Sequence, residues 1–587
     1  MKPAAVLLGV LAALLLGGAI VWAYGPILDN GFVWDDGGNL GAARASWDRG
    51  LSGVAWAFRE PFGGHYQPLT WVSYQLDAQV SGATPRGVHA TQLLLHLANT
   101  AAVAWLAWVL AACAARGRGS VCLLAPSGAF GSSQSLRDKR SPYPILRALF
   151  AGLAAALFAL HPIRVESVAW ATERRDLLST FFVLTALALH LRSSPADSSP
   201  SPVRGRVAIL HALSALSRAQ MTLPLVLLLA DLWPLQRLAE EPDRRRGFFR
   251  LVREKWLSFV IAAASAAAAV WAQASHGALT AASEHGALDR LVQAGYGLFF
   301  YPAALLFGRT FLPLYERPFP FEPTLPRYLV PALAAFAGLA LIAWQRRRIP
   351  SIAVAVGSYA LLVLPVLGIA QSGIQLVADR YAYLSTVPLV LLAAGALVRF
   401  GVSSNRPVRL LLAVGLAALL TGQALATHRQ TRVWESDETL WRHVLAHSSS
   451  CLADNNLGYI LYGRGESGPA LFHLVRSLER VPQYGRPWNG IAALLETPPG
   501  SEAPPPLWVA ETLERAAATS GSVLPRYAAA LAWMRAGNDL KAESELRKVL
   551  AIEPDHDGAR LALARLAARP EPVNAPAAPA PPAPPGR

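Results

Sequence analysis

Long apolar runs recur between residues 6 and 426, and they constrain the fold of this chain more than any other feature. Each covers roughly 17–22 residues or slightly fewer, which is about the length of helix that crosses a lipid bilayer. The predicted spans are 6–24, 93–112, 145–161, 177–190, 207–216, 222–235, 256–273, 328–344, 352–370, 384–398 and 409–426. We therefore expect an all-α, multi-pass membrane domain with about eleven spans, of which those near Val207 and Thr222 are short enough to be broken helices.

Composition supports a membrane protein over a soluble one. The chain has 587 residues, of which 53% are hydrophobic and only 16% are charged. That is too long for one soluble core and too apolar for several. The first run follows Lys2 and lacks a clear A-x-A cleavage site, which favours a signal anchor over a signal peptide.

The formal net charge of +15 raises the possibility of a nucleic-acid partner. The basic residues lie between apolar runs, however, as they do in cytoplasmic loops of membrane proteins, and not along one element with aromatic residues between them. The distribution therefore indicates a lipid bilayer as the partner and no nucleic acid. Abundant Ala, Arg and Pro with little Lys indicate a bacterial source, and so the bacterial inner membrane as the location.

The basic clusters also predict the topology. They fall in alternate loops, at 116–147, 192–206, 237–255, 346–348 and 399–409. With Lys2 inside, this pattern stays in phase only if residues 288–312 make no net crossing and lie on the outer surface or dip in and back. The odd number of crossings then places the loop after the first span and the C-terminal region outside the cytoplasm.

The composition changes after Ala426, where charge returns and the apolar pattern becomes amphipathic. Two segments match the 34-residue tetratricopeptide pattern of small and large residues. They contain Leu457, Gly458, Ala470, Leu474 and Pro482 in one case, and Trp533, Gly537, Ala542, Leu546 and Pro554 in the other. We expect a membrane domain at 1–430, an extracytoplasmic tetratricopeptide-repeat domain at 431–569, and a Pro/Ala-rich disordered tail at 570–587.

The predicted outer loops contain most of the residues that can carry chemistry. The first has the adjacent carboxylates Asp35 and Asp36, followed by His65. Two later outer segments, 161–179 and 377–385, carry both signs of charge next to aromatic residues. Ionisable groups at membrane level are costly, so such a cluster indicates a functional site, although any single one can be a solvated helix end.

At these residues the chain resembles the transmembrane-and-tetratricopeptide O-mannosyltransferases and their bacterial relatives, in the GT-C glycosyltransferase superfamily. The matching stretches are "FVWDD", "YQPLTW", "HATQLLLHLANT", "ALHPIRVESVAWATERRDLLS", "TLPLVLLLADLWPLQR" and "LVADRYAYLS". They cover nearly the whole chain, in the same order. There are two departures: Arg164 stands where relatives commonly have a histidine, and Arg218 stands at a lysine position.

The resemblance implies inverting transfer of a sugar from a polyprenyl-phosphate-linked donor to a protein hydroxyl or glycan acceptor outside the cytoplasm. A hydroxyl acceptor needs a carboxylate base, and inversion needs one base and no covalent intermediate. By the resemblance, Asp35 is the base and Asp36 orients it, although the two roles can be exchanged. Arginine suits a leaving phosphate. The predicted donor-binding residues are Arg174, Arg175, Arg218, Arg380, His161 and Glu166.

Several alternatives remain open at this stage. Glu166, Glu173 and Asp176 can hold the arginines in place instead of touching the sugar. No cofactor is indicated with certainty, and His161 and His65 with the aspartates give only a weak signal for a divalent cation. The three cysteines suggest neither a disulfide framework nor a CxxC metal pair. The main alternative function is a non-catalytic, membrane-anchored repeat scaffold. A transporter is disfavoured, because the sequence shows no internal repeat of the kind expected in many transporters.

Overall fold

The computed structural model describes residues 3–40, 50–59, 61–82, 84–115, 143–192, 202–238, 241–275, 285–369, 373–497, 507–520 and 522–569. The chain divides into two compact units, Met1–Ser448 and Ser449–Arg587. Both are built from helices, so the predicted all-α class is confirmed.

The first unit contains long apolar helices together with several shorter ones. Its helices are α1 (Pro3–Tyr24), α2 (Leu51–Arg59), α3 (Pro68–Ser81), α4 (Pro85–Ala115), α5 (Tyr143–Ala159), α6 (Val165–Ala169), α7 (Arg174–Arg192), α8 (Pro202–Ser217), α9 (Leu223–Leu232), α10 (Arg244–Glu254), α11 (Trp256–Ser275), α12 (Ala287–Phe307), α13 (Pro326–Gln345), α14 (Pro350–Val363), α15 (Ala382–Ser385), α16 (Val387–Ser403), α17 (Arg406–Thr431) and α18 (Asp437–His447). Proline opens many of them, because its fixed φ suits the first helical turn and its missing N–H costs nothing there.

Each of the predicted spans coincides with a helix of this unit. By length and composition, five helices can cross a membrane: Leu7–Asp29, Pro85–Cys113, Trp256–Ser275, Pro326–Gln345 and Arg406–Trp434. Two bent pairs, Pro144–Ala159 with Pro162–Ala169 and Asp379–Ser385 with Val387–Ser403, raise that number to seven. The spans predicted at 222–235 and 352–370 correspond to shorter apolar helices, and those at 177–190 and 207–216 to α7 and α8. A membrane protein is therefore supported, while the count of about eleven stays a prediction.

The two bent pairs bring polar turns next to apolar helices. The first bend, of 61°, follows α5 at His161–Pro162, where proline disfavours helical backbone in the residue before it. The turns after this bend, Pro162–Arg164 and Ala171–Glu173, lead into α7. The second bend, of 62°, separates α15 from α16.

A two-stranded antiparallel sheet supports the segment before the second bend. It pairs β1 (Tyr315–Glu316) with β2 (Gln375–Val377), and Tyr315 lies opposite Val377. The turn Asp379–Tyr381 follows β2 directly. The sheet therefore holds the start of the turn that carries Arg380.

The second unit consists of paired helices: α19 (Cys451–Gly463), α20 (Ser467–Arg480), α21 (Trp488–Glu496), α22 (Leu507–Ala518), α23 (Val523–Arg535), α24 (Asp539–Ile552) and α25 (Asp557–Ala567). Gly458 lies so close to Leu474 that an added Cβ would stand 2.7 Å from its side chain. Small and large residues thus pack between α19 and α20 as in helical repeats, but the tetratricopeptide assignment stays a prediction. The proposed tail at 570–587 lies outside the described residues.

The predicted topology can be tested across a single helix. Thr324 and Arg347 are exposed residues on either side of α13. In a background without native cysteines, we expect Thr324→Cys to react with an impermeant thiol reagent in spheroplasts, and Arg347→Cys to react only after lysis. The opposite labelling pattern would invert the topology, and with it the side of the membrane on which the aspartates lie.

Candidate functional site

The adjacent aspartates lie in a strained turn after α1. The Asp36 N–H donates to the Val33 carbonyl at 3.0 Å, which closes a turn with Trp34 and Asp35 at its centre. Trp34 has φ = +60°, a left-handed conformation that glycine dominates at this turn position. Its ring stacks on Trp170, with centroids 4.7 Å apart and planes 9° apart. Such strain persists only where the surroundings hold it, and it clusters at functional sites.

Asp36 is fully buried, and both of its carboxylate oxygens accept hydrogen bonds. Oδ1 accepts from the backbone N–H and the hydroxyl of Thr172, at 2.8 and 2.6 Å, and Oδ2 accepts from the Val33 N–H at 3.1 Å. Burial raises the pKa of Asp36 to about 7 despite these bonds. The residue thus joins the aspartate turn to the turn before α7.

Asp35 is only partly buried and faces charged neighbours. Its Oδ1 is buried but accepts no hydrogen bond from any described residue. Burial raises the pKa of Asp35 above its ordinary value, and the nearby Arg175 guanidinium offsets this in part. A carboxylate with an uncommitted oxygen and a raised pKa has the properties of a general base. The structure therefore distinguishes the two acids: Asp36 is saturated and Asp35 is not.

Beside Asp35, alternating charges link two arginines through one carboxylate. Glu173 accepts from Arg175 at 2.5 Å and lies 3.3 Å from Nε of Arg380. Burial would raise the pKa of Glu173, but Arg175 and Arg380 outweigh it and lower the pKa to about 2. On its other side Arg380 is paired with Glu166, whose Oε2 also accepts the Arg380 backbone N–H at 2.9 Å. The aspartate turn and the segments 161–179 and 377–385 thus converge on one charged cluster.

Arg218 contributes to the same region from the end of α8. It is ion-paired with Asp176 and exposes 27% of its side chain. With Arg380 it lines a polar pocket whose other polar wall residues are Asp176, Ser179, Thr180, Gln220, Tyr381 and Ser385.

An apolar groove adjoins this polar pocket. Leu362 and Leu384 line both the pocket and the groove. The groove is formed by leucine, valine and alanine side chains of α4, α7, α9, α14 and α16. The arrangement can accommodate an amphiphile with its polar group at the arginines and its hydrocarbon chain in the groove.

Two of the predicted donor-binding residues have other partners. Arg174 is fully buried, pairs with Asp77 at 2.5 Å, and donates to the Val88 carbonyl at 2.8 Å. His161 accepts the Ile163 N–H at 3.2 Å and so caps the turn after the first bend. The structure does not bring these two side chains into the cluster around Arg175 and Arg380.

Two positioning contacts went unrecognised in the sequence. Arg164 is fully buried and donates to the carbonyls of Ala382 and Tyr383, at 2.5 and 3.0 Å, which holds the segment just after Arg380. Asp379, just before Arg380, accepts from the Tyr315 hydroxyl with both oxygens at 3.1 Å. Arg164 lies inside the conspicuous "HPIRVES" stretch, and the pairing of Asp379 with Tyr315 left no signal in the sequence.

The weak metal signal from the histidines can be compared with the geometry. His65 lies in the field of Arg175, and burial together with that charge lowers its pKa to about 3. No group of three or more His, Cys, Asp or Glu side chains in the described part of the chain is arranged to hold a metal ion. His65, His161 and the two aspartates are therefore not brought together as a ligand set.

Comparison with known proteins gives one partial match. The chain is 38% identical over 76 residues to a protein O-mannosyl-transferase of Caenorhabditis elegans. The match covers 13% of this chain and 10% of the worm protein. No family model and no solved structure matches. These findings support a distant relation to O-mannosyl-transferases.

Proposed function

We propose that this protein is a bacterial inner-membrane glycosyltransferase that transfers a sugar from a polyprenyl-phosphate donor to an extracytoplasmic hydroxyl, with inversion. The observation that carries the proposal is the contrast between the two aspartates. Asp36 is saturated by Thr172 and Val33, while Asp35 has an oxygen that accepts no hydrogen bond from the described part of the chain and lies beside paired arginines. The distant relation to an O-mannosyl-transferase agrees with a sugar-transfer reaction.

In the proposed reaction the acceptor oxygen attacks the anomeric carbon as the bond from that carbon to the phosphate oxygen breaks. Asp35 takes the hydroxyl proton, and the leaving group departs as the lipid phosphate. A raised pKa suits this role, because a base works best when its pKa approaches the working pH. No covalent sugar–enzyme intermediate is needed, because inversion requires only one carboxylate base.

The donor site proposed here is the polar pocket and its apolar extension. Arg218 and Arg380 line this pocket, and in this proposal they stabilise the phosphate as it gains charge, because preorganised cations in a water-poor site are effective at this. The groove past Leu362 and Leu384 offers apolar surface for the first units of the lipid chain. The protein or glycan acceptor is proposed to be recruited by the helical repeats of the second unit.

The direct test is donor turnover by the purified full-length protein. We expect one member of a panel of polyprenyl-phosphate sugars to release its lipid phosphate in the presence of a hydroxyl acceptor, and NMR to show that the anomeric configuration has inverted. Asp35→Asn serves as the matched inactive control. A scaffold would release no lipid phosphate from any donor, and retention of configuration would rule out the single-base reaction.

A further inference from the structure

The segment that follows the last long helix packs against the aspartate turn. We refer to residues 431–447, which include the turn Arg432–Trp434 and α18, as the strap. The strap precedes Ser449, where the second unit begins, and belongs to the first unit. The sequence-based boundary at 430 assigned these residues to the repeats.

The strap contacts the turn through backbone and side chain alike. The Gly31 N–H donates to the Glu435 carbonyl at 3.0 Å, and the Asn30 side chain donates to the Thr431 carbonyl at 3.1 Å. The Trp34 N–H donates to Oδ1 of Asp437 at 2.6 Å. These bonds hold the chain just before Asp35 against the strap.

Tryptophan packing completes the contact. Trp441 of the strap is almost fully buried and meets the Trp34 ring edge-on, with centroids 5.1 Å apart and planes at 69°. Trp434 stacks on Trp170 at 5.8 Å, and Trp170 in turn stacks on Trp34. Trp34 is therefore enclosed between the turn before α7 and the strap.

These contacts explain how Trp34 is held with a positive φ. A left-handed backbone is sterically unfavourable for a non-glycine residue, so the turn needs compensating contacts. Asp437 supplies an acceptor for the Trp34 N–H, and Trp441 and Trp170 confine the ring. Because Asp35 is the next residue, the direction of its carboxylate follows from this conformation.

We propose that Asp437 and Trp441 are positioning residues of the catalytic site, which hold the Trp34 turn so that the Asp35 carboxylate faces the acceptor hydroxyl. The inference rests on the proposed transferase function. It also means that the strap completes the catalytic unit, so a truncation meant to remove only the repeats has to end after Ser448.

The test compares Asp437→Ala with the isosteric Asp437→Asn. Misplacing a catalytic group by about 1 Å can cost on the order of 100-fold, so we expect Asp437→Ala to lower kcat by about 10- to 100-fold without changing the donor KM. Asp437→Asn keeps an acceptor oxygen and should restore most of the turnover. Glu438→Ala is the matched control, because it removes the neighbouring carboxylate of the strap, which is paired with Arg442.

Amide hydrogen exchange gives a readout that does not depend on activity. Peptides that cover residues 30–36 should exchange faster in Asp437→Ala than in the parent, Asp437→Asn or Glu438→Ala proteins. If the parent is active and Asp437→Ala has unchanged turnover and unchanged exchange, the inference is overturned. A variant in which only the donor KM rises would overturn it too. A parent without transferase activity would instead contradict the proposed function.

Discussion

Replacing Asp35 by Asn should lower turnover by about 100- to 10,000-fold, which is the usual contribution of a general base. The amide is nearly isosteric with the carboxylate but cannot take up the acceptor proton. Asp35 has an oxygen without a hydrogen bond among the described residues, so the substitution breaks no contact of that atom. We therefore expect donor KM and the thermal melting temperature to stay close to those of the parent.

The same substitution at the adjacent residue, Asp36→Asn, tests which of the two aspartates is the base. Both oxygens of Asp36 accept hydrogen bonds from buried donors, and an amide nitrogen in place of one of them would face the Val33 or Thr172 N–H. Leaving a buried donor unsatisfied costs about 1–3 kcal/mol, so this variant should melt at a lower temperature than the parent. Its turnover at low temperature should fall less than that of Asp35→Asn. If both variants turn over at the parent rate, the two aspartates are loop residues without a catalytic role.

The pH dependence follows from the direction of the Asp35 shift. A base has to be ionised, so turnover is lost as the pH falls through the pKa of the base. Burial raises the pKa of Asp35, with Arg175 as a partial offset, so the acid limb of kcat should lie above the ordinary range of an aspartate. Asp35→Asn should remove this limb from the residual activity.

The apolar pattern predicted the helices because bilayer-length runs are a strong signal in sequence. It did not predict which of them are continuous. The run at 145–161 ends at a bend, and Pro162 marks this bend in the sequence. The span at 384–398, in contrast, is one half of a bent pair whose other half starts at Asp379. A residue pattern indicates well which positions are buried, but it is a poor indicator of the angle between successive helices.

The candidate site could be predicted only in part from the sequence, for similar reasons. Asp35 and Asp36 are equivalent by sequence, and what separates them is the burial of Asp36 and the backbone N–H groups of Val33 and Thr172, the second of which lies 136 residues away. Arg174 and Arg175 are also adjacent, but successive helical residues point about 100° apart. One therefore pairs with Asp77 in the interior and the other with Glu173 in the cluster.

Spacing along the chain also grouped residues that the structure separates. Glu173 and Asp176 are three residues apart, a spacing that puts two residues on one face when both belong to the same helix. Glu173 belongs to the turn that precedes α7, so it pairs with Arg175 and Arg380, while Asp176 pairs with Arg218. The sequence gives no indication of where the helix begins within "TERRD", and that start decides the pairing.

Replacing Arg218 by Gln should raise the donor KM by about 10- to 150-fold with a smaller effect on kcat. A hydrogen bond to a charged group contributes about 1.5–3 kcal/mol, and each 1.4 kcal/mol corresponds to a factor of ten in affinity. Arg218 suits this test better than Arg380, because Arg380 is tied to both Glu166 and Glu173. Removing Arg380 would leave buried carboxylates unpaired, and the protein would be destabilised.

Three companion variants separate phosphate binding from structure. Arg218→Lys keeps the positive charge, so it should retain most of the donor affinity. The double variant Arg218→Gln/Asp176→Asn removes the ion pair without leaving Asp176 charged and alone, and it should show the same KM as Arg218→Gln. Arg346→Gln, an exposed arginine at the end of α13, should behave like the parent. If Arg218→Gln binds the donor and the released lipid phosphate as tightly as the parent does, Arg218 does not contact the phosphate, and the polar pocket beside it is not the donor site.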